Sequence, residues 1–461
     1  MLKHLSRYPV ILAVLVLGLA LSAPAFAKVS ADKAAHLGKD LTPVGAEMAG
    51  NADGTIPKWT GGMQGIPEGI KFVPGTIHPD PYADEKPLYK IDAKNLDQYA
   101  DKVTEGFKGL IKRYPDSFYV QVYKTHRTAA FPDWWIERTK RNATLIELTE
   151  DKLGVLNHEV AGGTPFPIPT CAEEVMYNHL LRWRGPGREG DYLRANVFPN
   201  GKRTRNGGGY AWEKTPWNLP DLDAKTWDGI YYLLITKQEV PPRRKGELLL
   251  VKDPLNQSEH PRMAWQYLPG QRRVRRAPTV AYDTPNPGSS GLSTYDDAFI
   301  FNGALDRFNW KILGKKEMYI PYNCFMTDLV HEDELLIGKH PNPKCLRFEL
   351  HRVWVIEATL REGKRHVYGR RLFYIDEDSW TAVSQDMWDR RGTLWRTRFC
   401  SIKSRYNLPA VVQMTDFMFD FTRPDYATTA AVNDTKHPLR SDIVIPDNVF
   451  TPEWLRRMGR R

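Results

Sequence analysis

The residues that could carry chemistry in this chain are acidic clusters and one serine pair, and their spacing does not suit catalysis. Gly288-Ser289-Ser290-Gly291 lacks the Gly-x-Ser-x-Gly spacing of a nucleophile elbow and sits in a Pro/Gly turn. His331-Glu332-Asp333-Glu334 offers carboxylates to a cation, or reads as an acidic surface turn. Asp296 and Asp297 are adjacent, so on a strand they point to opposite faces and cannot act as one pair. Asp376, Glu377 and Asp378 crowd a turn, where mutual repulsion pushes them into solvent. No His-Glu-x-x-His or Cys-x-x-Cys metal spacing and no phosphate-binding Gly-Lys-Ser/Thr loop occurs. No catalytic residue, cofactor or metal ligand is expected. A hydrolase whose site assembles across the fold stays open as an alternative.

The elements that would position any site are strands. From Leu346 to Ile402 the chain reads as four long strands joined by short turns. Leu346, Phe348 and Leu350 alternate with Arg347, Glu349 and His351, and Trp354, Ile356, Ala358 and Leu360 carry the apolar side onward. Turns fall at Arg361-Glu362-Gly363-Lys364, at Asp376–Ser379 and at Arg391-Gly392. Period-two alternation with Gly and Asp punctuation argues for an antiparallel meander. Strands of nine or ten residues exceed the usual five or six, so the sheet must curl or be covered.

The first 27 residues read as an export signal: Lys3 and Arg7, an apolar run from Val10 to Leu21, and Ala25-Phe26-Ala27 before the cut. Twelve apolar residues are too few for a bilayer, which takes about twenty. Lys28 follows the cut in place of Cys, so no lipid anchor is expected there. A soluble periplasmic protein is the expectation. Losing Lys3 and Arg7 lowers the formal charge from +10 to +8. Export argues against nucleic acid as partner; an anionic headgroup or membrane surface is the functional reading of the basic excess. Four cysteines in an oxidising compartment allow disulfides. Cys324 and Cys345 flank a Pro-rich loop and are the expected pair. Closing that loop of about twenty residues would stabilise by roughly 3 kcal/mol.

Residues 28–90 are dense in Gly, Pro, Asn and Asp and read as an irregular arm over the scaffold formed by 91–461, anchored by Trp59. Leu96, Tyr99, Val103, Phe107, Leu110 and Tyr114 predict an amphipathic helix ended by Pro115. Thr170-Cys171-Ala172-Glu173 predicts a capped second helix stopping after Arg184, with His179 a satisfied interface residue. Met263–Arg276 reads as a hairpin with a Pro-Gly turn and a basic return strand. Thr451-Pro452-Glu453-Trp454 opens a short terminal helix.

The Trp-x-Tyr-Leu-Pro strand at 265–269, the return Arg272-Arg273-Val274-Arg275-Arg276 and the Tyr295-Asp296-Asp297 segment resemble periplasmic lipoprotein-sorting proteins of the LolA/LolB superfamily. Leu41–Gly62, Tyr282-Asp283-Thr284-Pro285, Phe301-Asn302-Gly303 and Met318–Asn323 resemble the exported family called domain of unknown function 1329. The resemblance implies a β-dominated α+β fold: a strongly curved antiparallel half-barrel sheet wrapped around a few helices. It also implies a sheet–helix space for acyl chains. With 14 Trp, 21 Tyr and 18 Phe in the chain, Trp265, Tyr267, Trp354, Tyr368, Trp380 and Trp395 are the candidate ligand-lining residues. Each buried methylene gains roughly 0.8 kcal/mol. Arg272, Arg273, Arg275 and Arg276 are the candidates for a lipid headgroup or a partner. A carrier or chaperone for a hydrophobic ligand, lipid or lipoprotein is the preferred expectation. A docking subunit with a filled core, serving an envelope transporter or outer-membrane protein, is the alternative.

Overall fold

The computed structural model describes residues 29–158, 161–257, 259–429 and 434–460; the expected signal at 1–27 lies outside them. Residues 29–88 hold one short helix, α1 (Ala31–Ala34), and otherwise turns. This arm lies on the rest of the chain through specific contacts. Trp59 Nε1 donates to the Ala129 carbonyl at 2.9 Å, and Trp380 Nε1 donates to that of Val44 at 3.0 Å. Gly45 has φ +100°, and a Cβ there would come within 1.7 Å of the Pro167 oxygen, so a side chain is excluded at this crossing.

After β1 (Tyr89–Ile91) the expected long helix is broken in two. A 3₁₀ turn spans Leu96–Tyr99, and α2 (Glu105–Arg113) starts afresh because the Thr104 hydroxyl accepts from Phe107 N at 3.1 Å. Next come β2 (Val120–Val122), α3 (Asp133–Leu145), a small hairpin of β3 (Glu147–Leu148) and β4 (Val155–Leu156), and α4 (Ala172–Leu180). The α4 cap forms one residue later than predicted: Cys171 is the N-cap, and Glu174 reaches back to the Thr170 and Cys171 amides. The helix ends four residues early, where Arg182 Nη1 turns back onto the His179 carbonyl.

The first meander is β5 (Gly187–Val197), β6 (Arg203–Lys214), β7 (Ile230–Val240), β8 (Leu248–Pro254), β9 (Met263–Leu268) and β10 (Arg273–Arg276). Then follow β11 (Phe308–Pro321), α5 (Met326–Leu329) and α6 (Glu332–Leu335). The second meander is β12 (Phe348–Leu360), β13 (Arg370–Asp376), β14 (Ala382–Trp388), β15 (Leu394–Arg405), β16 (Ala410–Asp420) and β17 (Tyr426–Thr429), and α7 (Pro452–Gly459) closes the described chain. The four central strands and their turns fall where the alternation placed them.

All but β3 and β4 join one 15-stranded sheet in the order β1-β2-β12-β13-β14-β15-β16-β17-β5-β6-β7-β8-β9-β10, with β11 also paired to β12. The short β17 fuses the two meanders by pairing antiparallel with β5. Register shifts interrupt seven of the pairings, at sites such as Ile312/Gly314, Cys400/Ile402 and Gly208/Gly209. Each such bulge bends the strand and tightens its twist, which curls this large sheet. Among the described residues no helix is long and apolar enough to cross a membrane.

Both faces of the second meander are covered, so β14 and β16 are buried at every position. On the outer face α2 sets Phe107, Leu110 and Ile111 against Phe348, Phe399, Phe417 and Phe419. On the inner face α4 sets Val175, Met176 and Leu180 in one core with Val355, Phe373, Trp380 and Val412. Residues 277–305 cross the inner face as an irregular cover, and strand reasoning fails there. Tyr295–Asp297 is a 3₁₀ turn capped by Thr294, not a strand. Asp296 and Asp297 therefore converge on a single cation, Arg371.

Candidate functional site

The cover is pinned to the sheet by buried charge. Arg371 donates through Nη1 to Asp296 at 2.9 Å and through Nη2 to Asp297 at 2.8 Å. His366 Nε2 lies 3.1 Å from Asp296, and the Tyr368 hydroxyl donates to Asp297 at 2.9 Å. Burial alone would raise the Asp296 pKa, but the charges of Arg371 and His366 outweigh it and hold the group well below the usual range. Farther along, Arg262 grips Asp253 and donates to the Asn302 carbonyl at 2.7 Å, while the Asn302 amide reaches Asp253 at 2.9 Å. His179 accepts from Ala382 N at 3.0 Å, which leaves its Nε2 proton for the Phe301 carbonyl at 3.1 Å. Burial, reinforced by Arg182, keeps it neutral. It is the satisfied interface residue that the sequence suggested.

Between this cover and the β5–β8 half of the inner face lies a cavity of about 190 Å³. For scale, a cavity of roughly 150 Å³ lined by apolar side chains accepts benzene. Leu234, Leu249, Val251, Val280, Phe299 and Ile300 supply its apolar wall. Its polar wall holds two buried ion pairs, Arg188 to Glu213 at 2.6 Å and Arg398 to Asp416. Several buried polar atoms here have no partner among the described residues: Arg188 Nε, Arg398 Nε, Asp416 Oδ1 and the Tyr232 hydroxyl. A wider trough of about 1150 Å³ runs past Trp134, Trp183, Trp227, Leu408 and Phe450.

None of the six aromatics nominated from sequence lines the cavity. Tyr267 is covered by α7, its hydroxyl donating to the Gly459 carbonyl at 2.9 Å. Trp265 lies under the Arg276 guanidinium at 4.5 Å. Trp354 and Trp380 stack on each other at 6.2 Å. Tyr368 belongs to the aspartate network, and Trp395 packs edge-on to it beneath Arg396. Arg272, Arg273, Arg275 and Arg276 are exposed on and beside β10, the end of the sheet, where charge also guards an open strand edge.

Three expectations are corrected. Cys324 and Cys345 are not joined; all four cysteines are free thiols. Cys324 Sγ turns to the Arg347 carbonyl at 3.1 Å, while Cys345 packs into the α2 core. Asp376, Glu377 and Asp378 are buried, not repelled into solvent, because cations from distant segments meet them. Arg127 holds both oxygens of Asp378 at 2.6 and 2.8 Å, and Lys315 meets Glu377 at 2.8 Å. The arm completes the set, the Glu47 amide donating to Glu377 at 3.0 Å. The third concerns the Asp296 and Asp297 pair described above.

His351, Asp376 and Asp378 bring ligating atoms within 4.8 Å of one another and are the group that could hold a cation. Arg127 already occupies both Asp378 oxygens. Burial first, then the Asp378 charge, raises the Asp376 pKa to about 7, so a proton also suits this place. The 331–334 turn is a surface tie instead: Glu332 meets Arg205 at 2.8 Å and Asp333 meets Arg203 at 2.6 Å.

Residues 90–456 match the family model of the protein family of unknown function DUF1329. The chain belongs to the DUF1329 family. An uncharacterized protein of Pseudomonas aeruginosa is 41% identical over 448 residues, covering 96% of each chain. The crystal structure of a DUF1329 family protein from Desulfovibrio piger is similar with 14% identity and a TM-score of 0.40, over 59% of this chain and 92% of that one. A putative outer membrane lipoprotein-sorting protein domain from Vibrio parahaemolyticus is similar with 16% identity and a TM-score of 0.41, over 62% and 97%. Within this DUF1329 chain the residues that carried the resemblance now have positions. Tyr295-Asp296-Asp297 and Phe301-Asn302-Gly303 are the anchors of the cover, and Gly45 is the crossing point of the arm.

Proposed function

We propose that this DUF1329 protein is a binding protein of the bacterial envelope that carries an amphiphilic ligand in the cavity beneath its cover. One observation carries the reading: a cavity of about 190 Å³ with an apolar wall lies between the sheet and a covering segment that both buried ion pairs and core side chains such as Ile300 and Phe301 hold down. Unpartnered polar atoms beside an apolar wall are matched by a ligand that carries both a polar group and an apolar part. The export signal read in the sequence supports work in the periplasm, and the exposed arginines of β10 suit an anionic membrane surface or an acidic partner.

Native mass spectrometry of protein expressed with its own N-terminus tests this directly. A co-purified lipid-sized mass, lost in a Val251→Trp variant that fills the cavity, is the expected result. A clean unliganded mass together with no uptake of a fluorescent fatty acid would sink it. That result would favour the second reading, a docking subunit of an envelope transporter. The packing of β14, buried at every position and away from the cavity, supports this second reading.

A further inference from the structure

We infer that the ligand of this cavity carries a negatively charged headgroup, received by the guanidinium cluster Arg182, Arg184 and Arg188. This rests on the cavity reading above and adds the chemistry of the ligand to it. The three arginines follow α4 and surround one ring: their guanidinium carbons lie 5.8, 4.5 and 5.1 Å from the centroid of Phe299, which lines the cavity together with Arg188, while Arg182 and Arg184 stand behind that lining.

Three cations meet one carboxylate. Glu213 pairs with Arg188 at 2.6 Å. Arg182 has only neutral acceptors, the His179 carbonyl and the Gln413 side-chain oxygen at 2.5 Å. Arg184 is 7% exposed, its Nη1 has no hydrogen-bond partner among the described residues, and its guanidinium lies over the rings of Phe299 and Tyr232 at 4.5 and 4.9 Å. A buried cation without a counter-ion is strongly disfavoured, and aromatic faces offset only part of that penalty. Burial, and then the neighbouring guanidinium charges, press the pKa of Arg182 downward, and burial does the same to Arg184. A carboxylate or phosphate entering from the cavity would supply the missing charge and hydrogen bonds.

The backbone beside the cluster is strained in the same place. Phe299 and Ile300 are consecutive left-handed residues, at φ +54° and +72°, and the second is β-branched. Such conformations persist where the surroundings impose them, and they gather at ligand sites. Here they hold the Phe299 ring between the cavity wall and Arg184. A turn of that ring would join Arg184 to the apolar space beside Arg188, so that headgroup and tail would be accommodated side by side.

Binding of dodecanoate, dodecyl phosphate, dodecanol and inorganic phosphate, measured by calorimetry on the full chain, tests the inference. Dodecanoate and dodecyl phosphate should bind about ten- to a hundredfold more tightly than dodecanol, the range expected of one charged hydrogen-bonded contact. Arg184→Met should remove that preference, keep dodecanol affinity and raise the melting temperature of the unliganded protein; Arg184→Lys should keep the preference. Equal affinity for dodecanoate and dodecanol overturns the headgroup assignment and leaves the cavity reading standing. Inorganic phosphate binding as tightly as dodecyl phosphate overturns the amphiphile in favour of a free oxyanion. If none of the chain-bearing probes binds, the cavity reading itself falls. A lower melting temperature for Arg184→Met would mark the residue as structural and overturn its assigned role.

Discussion

Replacing Arg371 by methionine probes how the cover is held. The side chain is fully buried and donates to Asp296, Asp297 and the Gln385 oxygen, the last at 2.8 and 3.2 Å. The rings of Phe301, Tyr368 and Phe373 lie 5.3, 5.2 and 4.9 Å from its guanidinium carbon. Methionine fills much of this aromatic box but leaves two buried carboxylates with His366, hydroxyls and amides as hydrogen-bond partners, and Arg398 held nearby on the Asp297 backbone carbonyl. Breaking one partner of a buried pair costs about 3–5 kcal/mol, a large part of a typical stability of roughly 5–15 kcal/mol. Urea unfolding of Arg371→Met, of Asp297→Asn and of the double variant gives the cycle. The expected outcome is a loss near 4 kcal/mol for Arg371→Met, of which the second substitution recovers about 1–3 kcal/mol, because neutralising the orphaned carboxylate removes its penalty. Limited proteolysis should cut Arg371→Met within 277–305 first. A loss below about 1 kcal/mol, or full additivity, would refute the claim that this charge pins the cover.

Asp376→Asn tests the buried acid beside His351. Its pKa is raised from 3.8 to about 7 by burial and by Asp378, so its stabilising contribution is complete below about 3.8 and lost as pH rises through 7. The variant should be more stable than the parent above that window, by at most about 4 kcal/mol at 1.4 kcal/mol per unit, and parallel pH–stability curves would contradict this. Gly45→Ala should cost about 2–5 kcal/mol through the Pro167 clash and the left-handed backbone, read as a fall in melting temperature; an unchanged value would show that the arm does not need this crossing. Burial raises the thiols of Cys171, Cys324 and Cys345 to about 12, and that of Cys400 upward as well. A thiol reagent should therefore leave the native protein untouched and titrate four cysteines once it is unfolded without reductant; two would restore the disulfide.

Part of the candidate site had a readable signal that went unused. Thr294 followed three residues later by Asp297 is a capping pattern, which marks a turn and so the convergence of Asp296 and Asp297. Arg182, Arg184 and Arg188 alternate with Trp183 and Gly185-Pro186 in an otherwise apolar stretch with no acid among them, a poor composition for a solvated surface. The six aromatics misled for the opposite reason. Large rings on strands mark burial, but only packing decides whether the partner is a ligand or the protein itself, as α7 on Tyr267 and Trp354 on Trp380 show.

What the chain dictated by itself was local. Period-two alternation and Gly or Asp turns set β12 to β15, the Pro-Gly turn set the β9–β10 hairpin, and Thr451 with Pro452 set α7, whose cap accepts from Trp454 N at 3.1 Å. These rest on neighbours within a few residues and survive any tertiary arrangement. The polar side of each strand was different. Alternation sets Arg371 on the same side as Phe373 and Ile375, but does not say what meets the charge there. The arm, α2 and the cover come from far away in sequence to bury it, and a charge out of water must find a partner wherever the fold brings one. The ion pairs, the covered inner face and the gathering of Arg182, Arg184 and Arg188 around Phe299 were therefore decided by tertiary structure.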